Sequence, residues 1–379
     1  MNRTRLAFAA AGTALLVGCS DAESTPKGQA TYSAAPAPSA SAAASTSGSA
    51  PGSAGGARLG QPQTIATGIE VPWGLAFLPD GSALVSERES GDILQIPAGG
   101  GDPRKVHHLD GVSPAGEGGL LGIAVDPDYA TNKFLYAYFT SESDNRIIRF
   151  VGEGGGGTDG AAGKVILDGI GKAGIHNGGR IAFGPDGFLY VGTGDAGDGS
   201  ASQDRGDLNG KILRITRDGA AAPGNPTAGS PVWSMGHRNV QGLAWGADKT
   251  MYGIEFGQNT WDEVNVIEPG KNYGWPEAEG KAGDSRYVDP IVQWSTDEAS
   301  PSGAAVAGGN LYVAGLRGER LWVVPLGGGE PRAEFTGTYG RLRTVATAPD
   351  GALWLTTSNR DGRGDPQDGD DRILRFPAA

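Results

Sequence analysis

The stretch with the most evident chemistry is AGIHNGGRIAFGPDGFLYVGTGD, which begins at Ala173. It contains His176, one of 4 histidines in 379 residues, and Asp195 follows in a second glycine-rich turn. A histidine side chain titrates near neutral pH, so it can take or give a proton under physiological conditions. The residues between the two turns favour strands rather than a helix. One strand leading away and one leading back would therefore bring Asp195 to His176.

Other charged or polar side chains stand just before similar strand-like segments. Three arginines and a histidine that converge on one place repel each other unless an anionic ligand or acidic neighbours balance them. Because arginine holds a carboxylate in a planar two-bond fork, the set favours a small polycarboxylate ligand. The alternative is that each side chain caps its own loop and binds backbone carbonyls. The members of the set are Glu117, His176, Arg238, Asn239, Arg341 and Arg343.

The segments that would position these residues repeat along the chain. A turn, often Pro-Asp-Gly, is followed by a strand rich in Leu, Tyr, Val and Trp, and then by a second strand. The turns of the six units begin at Pro79, Pro127, Pro185, Ala247, Gly308 and Pro349. Another strand precedes several of them, as in PWGLAF, GLLGIAV, GRIAF, VQGLAW and RTVATA. Six units of about 50 residues without intervening helices predict an all-β, six-bladed β-propeller, whose mouth would gather the polar set.

Composition restricts the classes of function. The 66 glycines and the hydrophobic content of 38% suit a turn-rich β protein. A formal net charge of -12 without a basic cluster argues against nucleic acid as a partner. Cys19 is the only cysteine, so the chain can form no intrachain disulfide.

The N-terminus is typical of a targeting segment rather than of a fold. Arg3 and Arg5 precede an apolar stretch, and the sequence Leu-Val-Gly-Cys that ends at Cys19 resembles a bacterial lipobox. We expect a lipoprotein signal peptide over 1–18, lipidation of Cys19, and an anchor on the extracytoplasmic face of the membrane. An ordinary secretory signal is the alternative. The Ala/Ser/Pro/Gly-rich segment 19–60 is predicted to be a disordered, flexible tether, and 61–379 to form the propeller.

From Val71 to Pro377 the chain resembles the soluble glucose, aldose and sorbosone dehydrogenases that depend on pyrroloquinoline quinone (PQQ). The similar motifs are GEGGLLGIAVDPDY, HNGGRIAFGPDGFLYVGTGD, LNGKILRI, GHRNVQGLAW, EFGQNTWDEVNVIEPGKNYGWP and GRLRTVATAPDG. The resemblance implies a six-bladed propeller, in agreement with the repeats. It also implies oxidation of aldose sugars at C1 to the lactone, with hydride transfer to PQQ.

The resemblance assigns a catalytic role to three residues. His176 matches the base that takes the proton from the C1 hydroxyl of the sugar. Asp195 matches the carboxylate that holds the histidine ring. Arg238 matches the cation beside the quinone oxygen, where negative charge develops.

The resemblance also implies two cofactors, PQQ and Ca²⁺. One calcium ion would join PQQ to the backbone carbonyls of Gly257 and Gln258, and a further calcium site would include Glu263 and Tyr273. Calcium prefers such hard oxygen ligands. The residues that match PQQ contacts are Glu117, Asn239, Arg317, Arg341 and Arg343.

Four positions depart from the family pattern. Phe256 and Gln258 differ from the Gln and Pro of the soluble glucose enzyme, but ligation by the backbone survives such changes. Arg317 replaces a lysine, which keeps the charge but substitutes a fork for a point charge. Ile175 stands where the soluble glucose enzyme has an aspartate, so contacts to the sugar would differ. The RGD sequence at Arg363 and the acidic run at Asp368 are interpreted as solvated turns.

Two other functions stay open at this point. A calcium-dependent propeller lactonase would hold its ion by side-chain carboxylates and would not need the arginines. A non-catalytic binding propeller at the cell surface would not need His176 paired with Asp195. For the dehydrogenase, the absence of a Cys-x-x-Cys-His haem motif implies a separate electron acceptor.

Overall fold

A computed structural model describes residues 59–152 and 163–378, and every structural statement below refers to these residues. Cys19, the signal peptide predicted for 1–18 and all but the end of the tether predicted for 19–60 lie outside the described residues. The strands run from Gln63 to Phe376, within the range predicted for the propeller.

The described chain forms six antiparallel four-stranded sheets, which are the six blades of the predicted propeller. Five blades use four consecutive strands each. The sixth blade contains β22–β24 and β1, because β1 pairs with β24. The N-terminal strand thus closes the ring within the same sheet as the C-terminal strand.

The bounds of the strands follow the blades in chain order. Blade 1 contains β2 (Pro72–Phe77), β3 (Ala83–Glu87), β4 (Asp92–Ile96) and β5 (Arg104–His108). Blade 2 contains β6 (Leu120–Val125), β7 (Phe134–Thr140), β8 (Asn145–Val151) and β9 (Lys164–Ile170). Blade 3 contains β10 (Ile181–Phe183), β11 (Leu189–Gly192), β12 (Lys211–Ile215) and β13 (Val232–Met235).

The other three blades follow in the same way. Blade 4 contains β14 (Val240–Trp245), β15 (Met251–Glu255), β16 (Trp261–Ile267) and β17 (Val292–Ser295). Blade 5 contains β18 (Pro301–Ala307), β19 (Asn310–Gly315), β20 (Arg320–Pro325) and β21 (Arg332–Glu334). Blade 6 contains β22 (Leu342–Thr347), β23 (Leu353–Thr357), β24 (Arg372–Phe376) and β1 (Gln63–Thr67).

Two short helices interrupt the strands, α1 (Tyr129–Asn132) and α2 (Gly199–Gln203). Neither is long or apolar enough to cross a membrane, and the same is true of every helix in the described residues.

The Pro-Asp-Gly turns connect the first two strands of a blade, as the sequence predicts. Asp80 accepts a hydrogen bond from the backbone N–H of Ser82 at 2.9 Å, and Gly81 has a φ of 84°, in the left-handed region. The aspartate therefore caps the turn locally, while glycine takes a conformation that strains other residues.

The first strands of the blades lie around the central axis and approach each other closely. A Cβ atom at Gly303 in β18 would lie 2.7 Å from Cα of Thr344 in β22. Glycine is therefore required where neighbouring blades meet near the axis. The apolar core fills the spaces between the blades, as in the cluster of Leu75, Val85 and Trp354 from blades 1 and 6.

Candidate active site

A cavity of about 400 Å³ opens at the mouth of the propeller, at the end where the chain enters the first strands. Its wall carries side chains from loops that precede the first strands of five blades. Four of these, blades 2, 3, 4 and 6, are predicted from the repeat, and blade 5 adds Thr296 and Ser300. The predicted residues that line it are Glu117, His176, Arg238, Gly257, Gln258, Arg317 and Arg341. Residues between Glu117 and Arg363 in the sequence thus line one polar cavity.

The ring of His176 is held between a carboxylate and a guanidinium. Its Nδ1 lies 2.6 Å from Oδ1 of Asp195, and its Nε2 lies 2.8 Å from Nη2 of Arg238. Arginine can only donate, so Nε2 accepts and the ring proton is on Nδ1, which donates to Asp195. This is the neutral tautomer whose Nε2 can accept a proton from a substrate.

Asp195 reaches His176 because β10 leads away from the mouth and β11 returns to it. Its Oδ1 also accepts from the N–H of Gly197 at 2.7 Å, and its Oδ2 accepts from Nε1 of Trp275 at 2.8 Å. Burial alone would raise the pKa of Asp195, but the hydrogen bonds from His176 and Gly197 and the nearby imidazole hold it below its ordinary value. Asp195 is therefore a carboxylate at neutral pH.

All three nitrogens of the Arg238 guanidinium donate a hydrogen bond. Besides the contact with His176, Nε donates to Oε1 of Gln258 at 3.0 Å and Nη1 donates to the carbonyl of Phe256 at 3.1 Å. Among the described residues it forms no ion pair with a carboxylate. Burial lowers its pKa, against the charges of Asp195 and Glu117. A preorganised cation thus faces the cavity beside the imidazole.

Arg341 and Arg343 share one buried carboxylate, that of Asp361. Nε and Nη2 of Arg341 donate to Oδ2 of Asp361 at 3.0 and 2.9 Å, and Nη2 of Arg343 lies 3.5 Å from the same atom. Arg341 lines the cavity, whereas Arg343 lies within β22 behind the wall. Nη1 of Arg343 donates to Gln241, and its Nε has no partner in the described part of the chain.

The two remaining predicted PQQ contacts lie at different depths. Asn239 is fully buried and does not line the cavity; its Oδ1 accepts from the N–H of Gly178 at 3.0 Å. Its Nδ2 lacks a partner within the described residues. Arg317 lies at the rim, with 62% of its side chain exposed, and pairs with Asp297 at 2.7 Å.

The loop that contains Gly257 and Gln258 is shaped by a carboxylate that the sequence reading did not single out. Oε1 of Glu279 accepts from four successive backbone N–H groups, those of residues 258 to 261, at 2.7 to 3.2 Å. Burial would raise the pKa of Glu279, but these four bonds lower it. Glu279 therefore fixes the backbone of the loop whose carbonyls are the predicted calcium ligands.

Glu263 and Tyr273 do not reach the main cavity. They lie around an adjoining space of about 10 Å³, which shares Arg238, Phe256 and Gly257 with the lining of the main cavity. Burial and the neighbouring Glu255 raise the pKa of Glu263 to about 8. The Tyr273 hydroxyl donates to the carbonyl of Val266 at 2.7 Å and accepts from the N–H of Glu268 at 2.9 Å, so two backbone groups already bind it. No group of three or more His, Cys, Asp or Glu side chains suited to a metal ion occurs in the described residues.

The charges around the main cavity favour an anionic ligand. Four arginines line it, and the facing carboxyl groups are those of Glu117 and Asp262. Burial raises the pKa of Asp262 to about 7, which weakens its contribution of negative charge. Three of the arginines already pair with a carboxylate, Arg317 with Asp297, Arg341 with Asp361 and Arg363 with Glu117, whereas Arg238 pairs with none among the described residues. A ligand carboxylate would therefore complement Arg238 directly and would compete with these partners at the other three. The four arginines are Arg238, Arg317, Arg341 and Arg363.

The acidic run at Asp368 corrects one interpretation of the sequence, because Asp370 and Asp371 are buried rather than solvated. Arg363 lies in an exposed turn, as the sequence predicts, with 56% of its side chain exposed; its place in the cavity lining and its pair with Glu117 at 3.0 Å are not predicted by the sequence. Asp361, two residues earlier, was also missed. The repeat contains a signal for it, because Asp361 follows the second strand of its blade just as Asp195 follows β11.

The protein is thus a six-bladed propeller whose arginine-lined cavity has a histidine–aspartate pair in its wall. The glucose/sorbosone dehydrogenase family profile matches residues 69–374, and the chain belongs to this family of sugar dehydrogenases.

Solved and curated relatives agree with this assignment. The PQQ-bound aldose sugar dehydrogenase of Streptomyces coelicolor is 57% identical, with a TM-score of 0.82 over 84% of this chain and 98% of that chain. The aldose sugar dehydrogenase YliI of Escherichia coli K12 is 28% identical over 78% of this chain and 89% of its own length. An uncharacterised protein of Synechocystis is 32% identical over 79% of this chain and 84% of its own length.

Proposed function

We propose that this protein oxidises aldose sugars at C1 to the lactone with PQQ as the electron acceptor. The observation that carries the proposal is the position of His176, held by Asp195 and Arg238 in the wall of an arginine-lined cavity. PQQ, when bound, supplies the carbon that accepts the hydride. The similarity to a PQQ-bound aldose sugar dehydrogenase supports this choice of cofactor.

His176 acts as the general base in this proposal. Its Nε2 takes the proton of the C1 hydroxyl, and Asp195 stabilises the imidazolium that results. Because Nη2 of Arg238 donates to the same Nε2 at 2.8 Å, the guanidinium must move aside when the hydroxyl enters. Arg238 then remains next to the reacting atoms, where its charge stabilises developing negative charge.

The cavity residues would hold the cofactors. Arg341 and Arg317 present guanidinium groups suited to the PQQ carboxylates, and Glu117 would be a further contact. Asn239 and Arg343 lie behind the cavity lining, so they would support the PQQ site through their neighbours unless the wall rearranges on binding. Calcium would bind the carbonyls of Gly257 and Gln258 and act as a Lewis acid toward the quinone. A second calcium ion would lie near Glu263 and Tyr273, where it would favour the ionised form of the buried carboxylate.

Reconstitution tests the proposal. The purified protein, loaded with Ca²⁺ and PQQ, is offered a panel of aldoses with an artificial electron acceptor. We expect PQQ-dependent dye reduction and lactone formation. No quinone reduction by any aldose would overturn the proposal, and hydrolysis of lactones with Ca²⁺ alone would replace it with the hydrolase. That alternative needs a cluster of side-chain carboxylates on the ion, and the described residues contain no such cluster.

We further propose that the protein is anchored by a lipid on Cys19 at the extracytoplasmic face of a bacterial membrane and passes its electrons to a separate carrier. The lipobox-like sequence before Cys19 supports the anchor. A Cys19→Ser variant should leave the membrane fraction and partition into the aqueous phase of a detergent extraction. Unchanged membrane association would contradict the lipid anchor.

A further inference from the structure

We infer that the ion pair between Arg363 and Glu117 positions His176 for proton transfer, and this inference rests on the proposed function. Arg363 and Glu117 lie on loops of different blades, 246 residues apart, and meet across the cavity wall at 3.0 Å. Neither residue touches the imidazole ring. Their effect would act through the backbone of His176, so both are positioning residues.

The backbone of His176 needs support because it adopts an unfavourable conformation. Its φ of 55° lies in the left-handed region, which costs of the order of 1 kcal/mol or more for a residue with a side chain. This conformation turns the imidazole toward Asp195 while the carbonyl of His176 accepts from the N–H of Ala196 at 3.1 Å. A relaxed backbone at this residue would move the ring away from Asp195 and Arg238.

Glu117 binds this loop at two points. Its backbone N–H donates to the carbonyl of Gly174 at 3.0 Å, and its Oε2 accepts the N–H of His176 at 3.0 Å. The two loops also touch directly, since a Cβ atom at Gly116 would lie 2.1 Å from the Gly174 carbonyl oxygen. By accepting the backbone N–H of His176, Glu117 thus helps to hold His176 in the left-handed conformation.

Arg363 fixes the second oxygen of the same carboxylate. Its Nη1 donates to Oε1 of Glu117, so both carboxylate oxygens have a partner; the Glu117 side chain is 16% exposed and that of Arg363 56%. The backbone N–H of Arg363 donates to Oδ1 of Asp361 at 3.0 Å, and Asp361 is itself held by Arg341. A continuous chain of hydrogen bonds therefore connects Arg341, through Asp361, Arg363 and Glu117, to the backbone of His176.

The test compares Arg363→Met with Arg363→Lys in the full-length protein. Arg375→Met is the matched control, because Arg375 forms a similar pair with Asp350 at 2.6 Å on the turn side of blade 6. Two readouts are needed. The first is steady-state kinetics of the reconstituted enzyme together with the Kd for PQQ. The second, on cofactor-free protein, is the downfield NMR signal of the His176 Nδ1 proton, assigned by its loss in His176→Gln.

For Arg363→Met we expect kcat to fall about 10-fold, less than the ~100-fold that a misplacement of about 1 Å can cause. KM for the aldose should stay within about 2-fold. The Kd for PQQ should rise because a cavity arginine is lost, but kcat at saturating PQQ should still fall and the Nδ1 proton should exchange faster with water. Arg363→Lys should restore both readouts in large part, because an ammonium can still pair with Glu117. Arg375→Met should match the parent protein.

Other outcomes overturn the inference. An unchanged kcat, or an unchanged Nδ1 signal, would show that the pair does not position His176. A rise in KM or in the Kd for PQQ that accounts for the lost activity would make Arg363 a ligand contact instead. If the parent protein lacks dehydrogenase activity altogether, the proposed function fails. The proton exchange of His176 in the cofactor-free variants then still decides whether the pair holds the residue.

Discussion

Nη2 of Arg238 donates to Nε2 of His176 at 2.8 Å, so a permanent cation occupies the lone pair of the proposed base. Nε2 is the acceptor in this contact, since a protonated nitrogen could not accept it, and the ring proton is therefore on Nδ1. The contact also means that the resting site is closed to proton transfer until a substrate hydroxyl replaces the guanidinium. Base and cation are thus held as one unit before substrate arrives.

Arg238→Lys should lower kcat by about 10- to 100-fold, because a lysine can replace only one of the three bonds that the guanidinium makes. Stopped-flow measurement of PQQ reduction at saturating aldose checks this. Gln258→Leu removes one of the same bonds but leaves the guanidinium of Arg238 in place, so kcat should fall much less. Equal losses in the two variants would show that the three-bond fork of Arg238 contributes no more than its single bond to Gln258.

Asp195→Asn should reduce kcat by about 10²- to 10⁴-fold, because an amide can donate to Nδ1 and so stabilise the wrong tautomer of the ring. The Kd for PQQ should change by less than about 3-fold, since Asp195 does not line the cavity. Steady-state kinetics with fluorescence titration of PQQ separates the two effects. A variant that binds PQQ poorly but turns over normally when saturated would contradict the assigned role.

Asp361→Asn should destabilise the cofactor-free protein by about 3–5 kcal/mol, because Arg341 and Arg343 lose their shared buried counter-charge. PQQ should then raise the Tm of the variant by more than it raises the Tm of the parent, since its carboxylates replace the missing charge. Differential scanning calorimetry with and without PQQ measures both quantities.

Asp297→Asn is the control for this experiment. It breaks the exposed pair with Arg317, and such pairs contribute only about 0–1 kcal/mol. Its Tm should therefore stay near that of the parent. A PQQ-induced shift in Asp361→Asn no larger than in the parent would show that Arg341 does not meet a ligand carboxylate.

Glu279→Gln should weaken calcium binding at the Gly257–Gln258 loop and lower stability in a pH-dependent way. The pKa of Glu279 is held below 4.5, so its carboxylate stabilises the folded state fully above the unfolded-state value. That stability is lost as pH falls through the folded-state pKa. Urea unfolding of the two proteins should therefore show a gap that is constant above about pH 5.5 and narrows below about pH 4.5. A gap independent of pH would contradict the role of the charge.

Much of the fold could be predicted because the pattern repeats. The first strands of five blades were found from their apolar residues and the turns that follow them. β18 (Pro301–Ala307) was missed because PSGAAVA has neither large apolar residues nor alternation. Its small residues are explained only by the neighbouring blade, since Gly303 must fit against Thr344. A constraint from another blade leaves no local pattern in the sequence.

The site shows the same limit. His176 and Asp195 could be paired from the sequence because one strand leads out and the next leads back. Arg363 could not be assigned to the cavity, because its partner Glu117 lies 246 residues away and only ring closure brings the two together. Arg343 is grouped with the loop residues but also begins the predicted strand RTVATA; it lies within β22, where the pleat of the strand rather than a loop sets the direction of its side chain.

The most direct test of the account is the rate at which saturating aldose reduces bound PQQ in a single turnover, in the parent protein and in His176→Gln. Both proteins are loaded with equal amounts of PQQ and Ca²⁺, so a difference in rate reports the chemical step alone. Loss of a general base lowers a rate by about 10²- to 10⁴-fold, and we predict a loss in this range with the Kd for PQQ preserved. Reduction of PQQ by His176→Gln at the parental rate would contradict the account.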